Sequence, residues 1–292
     1  SQNFLSFCRY NIWNMKQTFK TTLLMALLTG LFMAVGYFIG GQQGMLMALF
    51  FATISNFVMY FFSDSLVLKM QNAQPLDDRY PEVRRIVTDL ASRESMPMPK
   101  LYYVETPIPN AFATGRSPEH AAVAVTSGIM EILNEDEIRA VLAHELGHVK
   151  NRDMLVSTIA ACLAGAISYL AQMAMFFGGS REDDNYNPIA AIAMMLLAPF
   201  AAMIIQMAIS RSREYLADEH SAHLLGSGTA LASALQELEG WKQQAPPLAP
   251  TPNEQATSHL MFANMFSAAG LASLFSTHPS TADRVKRLQN LR

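Results

Sequence analysis

Two histidines four residues apart, with a glutamate beside the first, are the clearest chemical pattern in this 292-residue sequence. They are His144, Glu145 and His148, in the segment HELGH. Because residues i and i+4 of a helix share a face, both imidazoles can reach one metal ion. A carboxylate next to the first ligand can hold and deprotonate a water molecule. The spacing therefore predicts two zinc ligands and a general base.

The residues around this motif predict the helix that must present it. Asn134 followed three residues later by Glu137 is typical of a capping box at a helix start. Apolar residues then recur at helical spacing, at Ile138, Val141 and Leu142. The alternative, a surface helix that carries two unrelated histidines, is less consistent with this context. We expect the motif to lie on a regular helix.

Composition places this helix in an unusually apolar chain. The hydrophobic fraction is 51% and the charged fraction is 15%. Soluble proteins usually have a charged fraction of roughly 25%. The net charge of −3 and the lack of a basic run give no support for nucleic-acid binding. The two cysteines, Cys8 and Cys162, suit neither a disulfide framework nor a cysteine zinc site.

Charged residues are absent from four blocks of the sequence. Each block is long enough to cross a bilayer of roughly 30 Å. They are residues 21–39, 42–62, 154–177 and 188–209. A signal peptide is the alternative for the first block and a buried hairpin for the last two; length and the absence of charge favour membrane spans. Lys and Arg gather on the side of the termini and of the HELGH helix, which predicts that this side is cytoplasmic.

These blocks divide the chain into five segments. We predict an N-terminal cytoplasmic segment at 1–20, a transmembrane hairpin at 21–62 and a first cytoplasmic part at 63–153 that contains the HELGH helix. A second hairpin follows at 154–209, and a second cytoplasmic part at 210–292. Residues 1–14 precede Met15, a natural start, and are interpreted as an extension. The Pro-rich run 245–252 predicts a loop.

Catalytic zinc requires a third protein ligand, and Glu214 is the candidate. The HELGH helix leads into the second hairpin, and Glu214 follows directly after it. Since the two spans of a hairpin are antiparallel, their cytoplasmic ends meet, and Glu214 should come close to His144 and His148. Asp218, one turn later on the same face, is suited to accept the second ring N–H of a ligating histidine.

Two other interpretations of this region remain open. Glu214 and Asp218 could merely solvate a helix face beside Arg211 and Arg213. The nearby histidines, His220 and His223, are available as alternative ligands, although such residues are more often packing or surface groups.

Several separate motifs together resemble one family. They are Asn110-Ala-Phe-Ala-Thr-Gly115, HELGH, Arg213-Glu-Tyr-Leu-Ala-Asp218, and Thr277-His-Pro279 followed by Arg284. With the membrane hairpins, they resemble the HtpX family of bacterial membrane zinc proteases, which are gluzincins related to the CAAX prenyl proteases. The resemblance covers the chain from Met15 onward, with no departure at the ligand or base positions.

The resemblance implies a fold class: a predominantly α-helical integral membrane protein with four transmembrane helices and a cytoplasmic α+β gluzincin-type metalloprotease domain that carries a small β-sheet. It also implies an ATP-independent endopeptidase of the bacterial inner membrane that degrades misfolded or damaged membrane proteins. The expected cofactor is one Zn²⁺ per chain. The expected partners are unfolded polypeptides and the lipid bilayer, without nucleic acid or nucleotide, and the sequence contains no GxxxxGK[ST] motif.

The resemblance further implies roles for residues outside the motif helix. Asn110, Ala111, Phe112 and Ala113 would form an edge strand on which the substrate backbone pairs. His278 and Arg284 would lie near the metal, His278 covering the open metal position or stabilising the transition state and Arg284 supporting the oxyanion. Tyr215 is a further candidate for that support.

Two alternatives belong to other classes of function, and a third lies within the protease class. A non-proteolytic zinc scaffold is disfavoured by Glu145 and by the lack of a fourth protein ligand. A transporter is disfavoured because no Asp, Glu, His, Lys or Arg interrupts the four blocks. A CAAX-type prenyl-peptide protease would require more membrane helices than four. The preference for zinc over other divalent metals is a chemical expectation.

Overall fold

The computed structural model describes residues 2–151, 154, 155, 157–159, 211–245 and 279–291. Most of the predicted second hairpin, His278, and the Pro-rich run from 246 onward therefore lie outside the described residues. Within them the architecture is helical with one small sheet.

The first helix, α1 (Gln2–Met70), contains a reversal. Thr29 Oγ1 accepts a hydrogen bond from Asn56 Nδ2 at 2.8 Å, although the two residues are 27 positions apart. In a straight helix this separation would be about 40 Å. Gly41, which lies between them, has a φ of 58°. This is a left-handed conformation that favours glycine. The two arms of α1 thus lie side by side.

One helical stretch in the described part of the chain is long and apolar enough to cross a membrane, judged by length and composition. It is Gly41–Phe62, the second arm of α1, with mean hydropathy 1.8. Its aromatic side chains are largely exposed, including Phe50, Phe57 and Phe62.

The sheet has four strands in the order β1-β2-β4-β3. They are β1 (Gln74–Pro75), β2 (Lys100–Val104), β3 (Ala111–Gly115) and β4 (Ala121–Thr126). β2 and β4 are parallel, whereas β3 pairs antiparallel with β4. β3 is consequently an edge strand. It ends at Gly115, where φ is 137° and a Cβ atom would collide with the carbonyl oxygen of His120.

Six further α-helices complete the described fold, besides a short 3-10 helix at Pro118–His120. They are α2 (Pro81–Arg93), α3 (Ser127–Ile132), α4 (Glu135–Lys150), α5 (Arg211–Leu225), α6 (Thr229–Gln244) and α7 (Thr281–Gln289). α4 is central and packs against α2, α5, α6 and β3.

The alternation of side chains along β3 and β4 gives the sheet two buried faces. Ala111, Ala113 and Val123 belong to the main core, together with Leu142 and Leu146 of α4. Phe112 belongs to a second cluster on the opposite face, which includes Val67 and Leu68 near the end of α1. β3 therefore lies between the HELGH helix and the end of the long N-terminal helix.

Candidate active site

α4 begins with a complete capping box. Asn134 Oδ1 accepts hydrogen bonds from the backbone N–H groups of Asp136 and Glu137, at 3.0 and 3.1 Å. The Glu137 side chain in turn accepts from the Asn134 N–H at 3.0 Å. These bonds satisfy amides that the first turn of a helix leaves unpaired. The helix is therefore well anchored at its start, and the HELGH motif lies on its last two turns.

α5 approaches α4 closely enough to bring the third candidate ligand to the motif. Ser221 Oγ of α5 donates to the Ala140 carbonyl of α4 at 2.8 Å. At Gly147 a Cβ atom would lie 3.1 Å from the ring of His220, so the absence of a side chain permits this approach. Glu214, on the first turn of α5, consequently faces the two histidines.

His144, His148 and Glu214 form the one group of potential metal ligands found within the described residues. Their ligand atoms all lie within 4.8 Å of one another. The Nε2 atoms of the two histidines are 3.2 Å apart. Glu214 places Oε1 3.6 Å from His148 Nε2 and Oε2 3.8 Å from His144 Nε2.

This arrangement fits zinc. Two nitrogen ligands at about 2.0–2.1 Å from a tetrahedral zinc ion would be roughly 3.3 Å apart, close to the observed spacing of the two imidazoles. Two histidines and a glutamate also constitute a common donor set of catalytic zinc sites, which leave one position open. The residues present therefore match the metal that the motif predicts.

Asp218 contacts His144 on the side of the ring opposite the other candidate ligands. Its Oδ1 lies 2.9 Å from His144 Nδ1, so the opposite ring nitrogen points toward Glu214 and His148. Burial alone would raise the pKa of Asp218, but the charge of Arg284 and the contact with His144 hold this pKa below its ordinary value. Burial lowers the pKa of His144. This shift favours the neutral imidazole that a metal requires.

Arg284 completes this arrangement from the last helix. Its guanidinium donates two hydrogen bonds to Asp218, and its Nη1 is 4.0 Å from Glu214 Oε2. The Arg284 side chain is buried although it is charged. It therefore contacts the carboxylate that holds His144 and also approaches the third candidate ligand.

Glu145 faces the edge strand. Its Oε2 accepts a hydrogen bond from the backbone N–H of Ala113 at 2.9 Å. Burial is the main cause that raises the pKa of Glu145 to about 8; the charge of Glu214 acts in the same direction, whereas His148 and the Ala113 N–H oppose it. A carboxyl group with a pKa near neutrality can both accept and return a proton.

The predicted substrate-binding residues alternate along β3. Asn110 pairs inward with Thr126 of β4, through bonds of 2.8 and 2.9 Å. Phe112 points its side chain to the face that contains Val67 and Leu68. Since the Ala113 N–H points outward to Glu145, the backbone of Ala111, two residues before it, faces the same open edge.

Other sequence candidates lie elsewhere. The Tyr215 ring stacks under the guanidinium of Arg287, with 4.2 Å from Cζ to the ring centre. His220 Nε2 lies 3.9 Å from Glu94 Oε1, behind the motif helix. His223 is exposed. None of these three belongs to the group of metal-ligating atoms in the described residues.

Two contacts of the site were not predicted from the sequence. The Ala113 N–H bond to Glu145 has no side-chain signature, since any non-proline residue carries that donor. Thr158 was counted only as part of an uncharged block, yet its hydroxyl lies 3.0 Å from Thr114 Oγ1 and 3.4 Å from the Gly115 nitrogen.

Known proteins resemble this chain over most of its length. The model of peptidase family M48 matches residues 77–292. A "Protease HtpX homolog" of Methylibium petroleiphilum is 53% identical over 92% of this chain and 95% of its own length. The "Protease HtpX homolog" of Burkholderia mallei is 51% identical over 93% of this chain and 96% of its own length.

A solved structure, that of S. mikatae Ste24p, is also similar. It has 20% identity and a TM-score of 0.48, and the match covers 96% of this chain and 66% of that chain. The family match and the two relatives that share more than half of their residues with this chain decide its classification. The chain belongs to peptidase family M48, among the HtpX proteases, and is a metallopeptidase.

Proposed function

We propose that this protein is a zinc-dependent endopeptidase of the bacterial inner membrane that hydrolyses peptide bonds of misfolded or unfolded membrane proteins without ATP. The observation that carries the proposal is the convergence of three potential metal ligands from two helices beside the buried Glu145, whose carboxylate accepts a hydrogen bond from an edge strand. The identification as a metallopeptidase is shown by family; the metal, substrate class and location are the parts proposed.

His144, His148 and Glu214 would hold the metal. Bound zinc would supply Lewis-acid polarisation of the scissile carbonyl and lower the pKa of a water molecule. Asp218 orients His144, and Arg284 keeps Asp218 ionised and in place. Because ligand orientation depends on such outer contacts, the whole group contributes to metal affinity.

Glu145 would be the general base. Its Oε2 is held by the Ala113 N–H, which leaves Oε1 to take the proton of the attacking water. The same carboxyl group would then donate this proton to the leaving amine. Burial raises the pKa of Glu145 and bound zinc would lower it again. A resulting pKa near the working pH suits both halves of this cycle, since such a base is also an acid of useful strength.

β3 would bind the substrate. Its open edge offers the backbone groups of Ala111 and the carbonyl of Ala113 to an extended peptide, which would add to the sheet as a further strand. Such binding relies on main-chain hydrogen bonds and requires an unfolded segment rather than a particular sequence. This selectivity suits a protease of damaged proteins.

The remaining catalytic roles are carried over from the resemblance. His278, which lies outside the described residues, would cover the open metal position or stabilise the transition state. Arg284 would act mainly through Asp218, and its Nη1 beside Glu214 would add positive charge near the developing oxyanion.

The membrane arrangement is also part of the proposal. The hydrogen bond between Thr29 and Asn56 and the exposed apolar surface of Gly41–Phe62 support an N-terminal transmembrane hairpin. A second hairpin at 154–209 would follow, with the termini and the active site on the cytoplasmic side. Uncharged length and the distribution of Lys and Arg support this topology.

The test compares the purified full-length protein with its Glu145→Ala variant, in detergent with zinc, on casein and on an unfolded membrane protein. Metal content is measured by elemental analysis on the same samples. We expect cleavage by the wild type alone and about one zinc per chain in both. Zinc in both without any cleavage by the wild type would favour a scaffold, and loss of zinc from both would contradict the ligand set.

A further inference from the structure

The strand proposed to bind substrate, β3, lies beside the C-terminal part of α1 and points toward the candidate span Gly41–Phe62. Phe112 lies in the same buried cluster as Val67 and Leu68. Four residues later, Arg116 donates from Nη1 to the Phe61 carbonyl at 3.1 Å, with its guanidinium 5.5 Å from the Phe61 ring centre. As the chain advances along β3, its contacts on α1 therefore move backward from Leu68 to Phe61. Phe61 is in the last turn of the candidate span Gly41–Phe62.

The stretch of strand from Phe112 to Arg116 and the stretch of helix between their contacts on α1 have similar lengths. Four residues of strand cover about 13 Å, and the seven residues from Phe61 to Leu68 cover about 10 Å of helix. β3 and the end of α1 thus run alongside each other in opposite directions. The Gly115 end of β3 is the end nearest the span.

A second contact marks the same end of β3. Thr158 Oγ1 lies 3.0 Å from Thr114 Oγ1 and 3.4 Å from the Gly115 nitrogen. Thr158 is buried and belongs to the uncharged block that begins at Met154. The end of the apolar block 42–62 and the beginning of the block 154–177 therefore both contact the C-terminal end of β3 or the adjoining Arg116.

The catalytic carboxylate contacts β3 at Ala113, a fixed distance from this end. The three residues from Ala113 to Arg116 span about 10 Å. An extended chain that leaves the bilayer covers the same height in about three residues. The thickness of the headgroup region and the tilt of the extended chain add a few more residues to this distance.

We propose that the protein preferentially cleaves membrane-anchored chains at a short, fixed distance from the bilayer, about three to six extended residues beyond the end of the anchoring span. This inference rests on the proposed function. It deepens that function by naming the substrate as an unfolded segment directly adjoining a span. The packing of β3 against α1 sets the height, with the Arg116–Phe61 contact at the membrane surface.

Tether length provides the test. One cleavable unfolded segment, first shown to be cut as a free peptide, is attached to a single-span protein through Gly-Ser tethers of about 1, 4, 10 and 30 residues. Each tethered substrate is incorporated into liposomes with the full-length zinc-loaded protease, and initial cleavage rates are measured.

We expect little cleavage at the shortest tether, a maximum near the second, and a decline of roughly 20-fold by the longest. The decline follows because effective concentration falls about as the −3/2 power of tether length. Rates that are equal at all lengths, or that rise steadily with length, would overturn the inference.

Two arginine variants and the free peptide separate the possible failures. Arg116→Ala should broaden the length profile, whereas Arg85→Ala, which removes an exposed arginine bonded to Glu135, should keep the wild-type profile. Both should cut the free peptide at the wild-type rate. An unchanged profile in Arg116→Ala would overturn the assignment of this contact as the one that sets the height. Failure to cut even the free peptide would instead contradict the proposed protease function.

Discussion

Arg284 donates two hydrogen bonds to the carboxylate of Asp218, at 2.7 and 2.9 Å, and both side chains are almost completely buried. The two residues are 66 positions apart, on the last helix and on α5. Because Asp218 also lies 2.9 Å from His144 Nδ1, the pair connects the last helix to the candidate metal site. Burying two charges is costly, and paired hydrogen bonds of this geometry offset that cost.

Asp218→Asn should weaken zinc binding by about 10- to 100-fold, because an amide orients His144 less strongly than a carboxylate. Zinc affinity is measured by competition with a chromophoric chelator. Glu219→Gln is the matched control: Glu219 is on the same helix, but its carboxylate pairs with the exposed Arg287. Equal affinities in the two variants would contradict the role of Asp218.

Arg284→Lys should lower zinc affinity in the same direction, since a lysine cannot replace the bidentate bond to Asp218. If Arg284 acts through Asp218, the double variant with Asp218→Asn should lose much less zinc-binding free energy than the sum of the losses in the two single variants. Fully additive losses would show instead that Arg284 acts on the metal or the oxyanion independently. Chelator competition on the four proteins measures the coupling.

The contribution of Glu145 to the stability of the metal-free protein should fall as pH rises from about 4.5 to about 8. Burial raises the pKa of Glu145 to about 8 in the folded protein, so the folded form keeps a proton that the unfolded chain loses at lower pH. The contribution is at most about 1.4 kcal/mol per pH unit. Thermal unfolding of wild type and Glu145→Gln across this range measures it.

The Glu145→Gln variant should not show this loss of stability, because a glutamine at position 145 cannot titrate. Added zinc should have the same effect on the wild type, since a nearby cation favours the ionised carboxylate. Identical slopes for the metal-free wild type and variant would mean that the carboxylate is already ionised in the folded protein.

Asn134→Ala should lower the free energy of unfolding by about 1 kcal/mol, because the amides of Asp136 and Glu137 lose their acceptor. Zinc affinity should change little, since the ligands lie near the opposite end of α4. Asn134→Asp retains a capping oxygen and is expected to keep near-wild-type stability. Chemical denaturation followed by circular dichroism provides the measurement, and an equal loss in both variants would contradict the capping argument.

Local patterns accounted for the elements that position the site. The capping box and the apolar spacing predicted α4, and the structure confirms that helix from Glu135 to Lys150. The short apolar runs 100–104 and 121–126 have a composition that predicts strands, and the structure has strands with those bounds. These elements were predictable because their signals depend on residues within one or two turns of each other. The family assignment and the metallopeptidase activity are confirmed as well.

Some boundaries differ because local patterns specify them weakly. The sequence predicts that the edge strand includes Asn110, but the strand begins at Ala111. The Asn110 N–H donates to the side-chain hydroxyl of Thr126, and this bond is not part of the backbone pairing of a strand. For the last helix the sequence predicts 282–291, with Ser280 or Thr281 as the cap. The structure has this helix at Thr281–Gln289, with the Ser280 hydroxyl as its cap. Helix and strand ends depend on a few hydrogen bonds that compete with solvent and neighbouring segments.

The sequence alone determined which family the chain belongs to, and it predicted which residues bind a metal and which carboxylate acts as base. It did so because residue type and short-range spacing specify these properties. Only the tertiary structure decided that Arg284 supports Asp218, that a backbone N–H of Ala113 holds Glu145, and that β3 descends along α1 toward Phe61. These contacts join residues 32 to 66 positions apart, and no local pattern encodes them because packing of the whole chain brings their partners together.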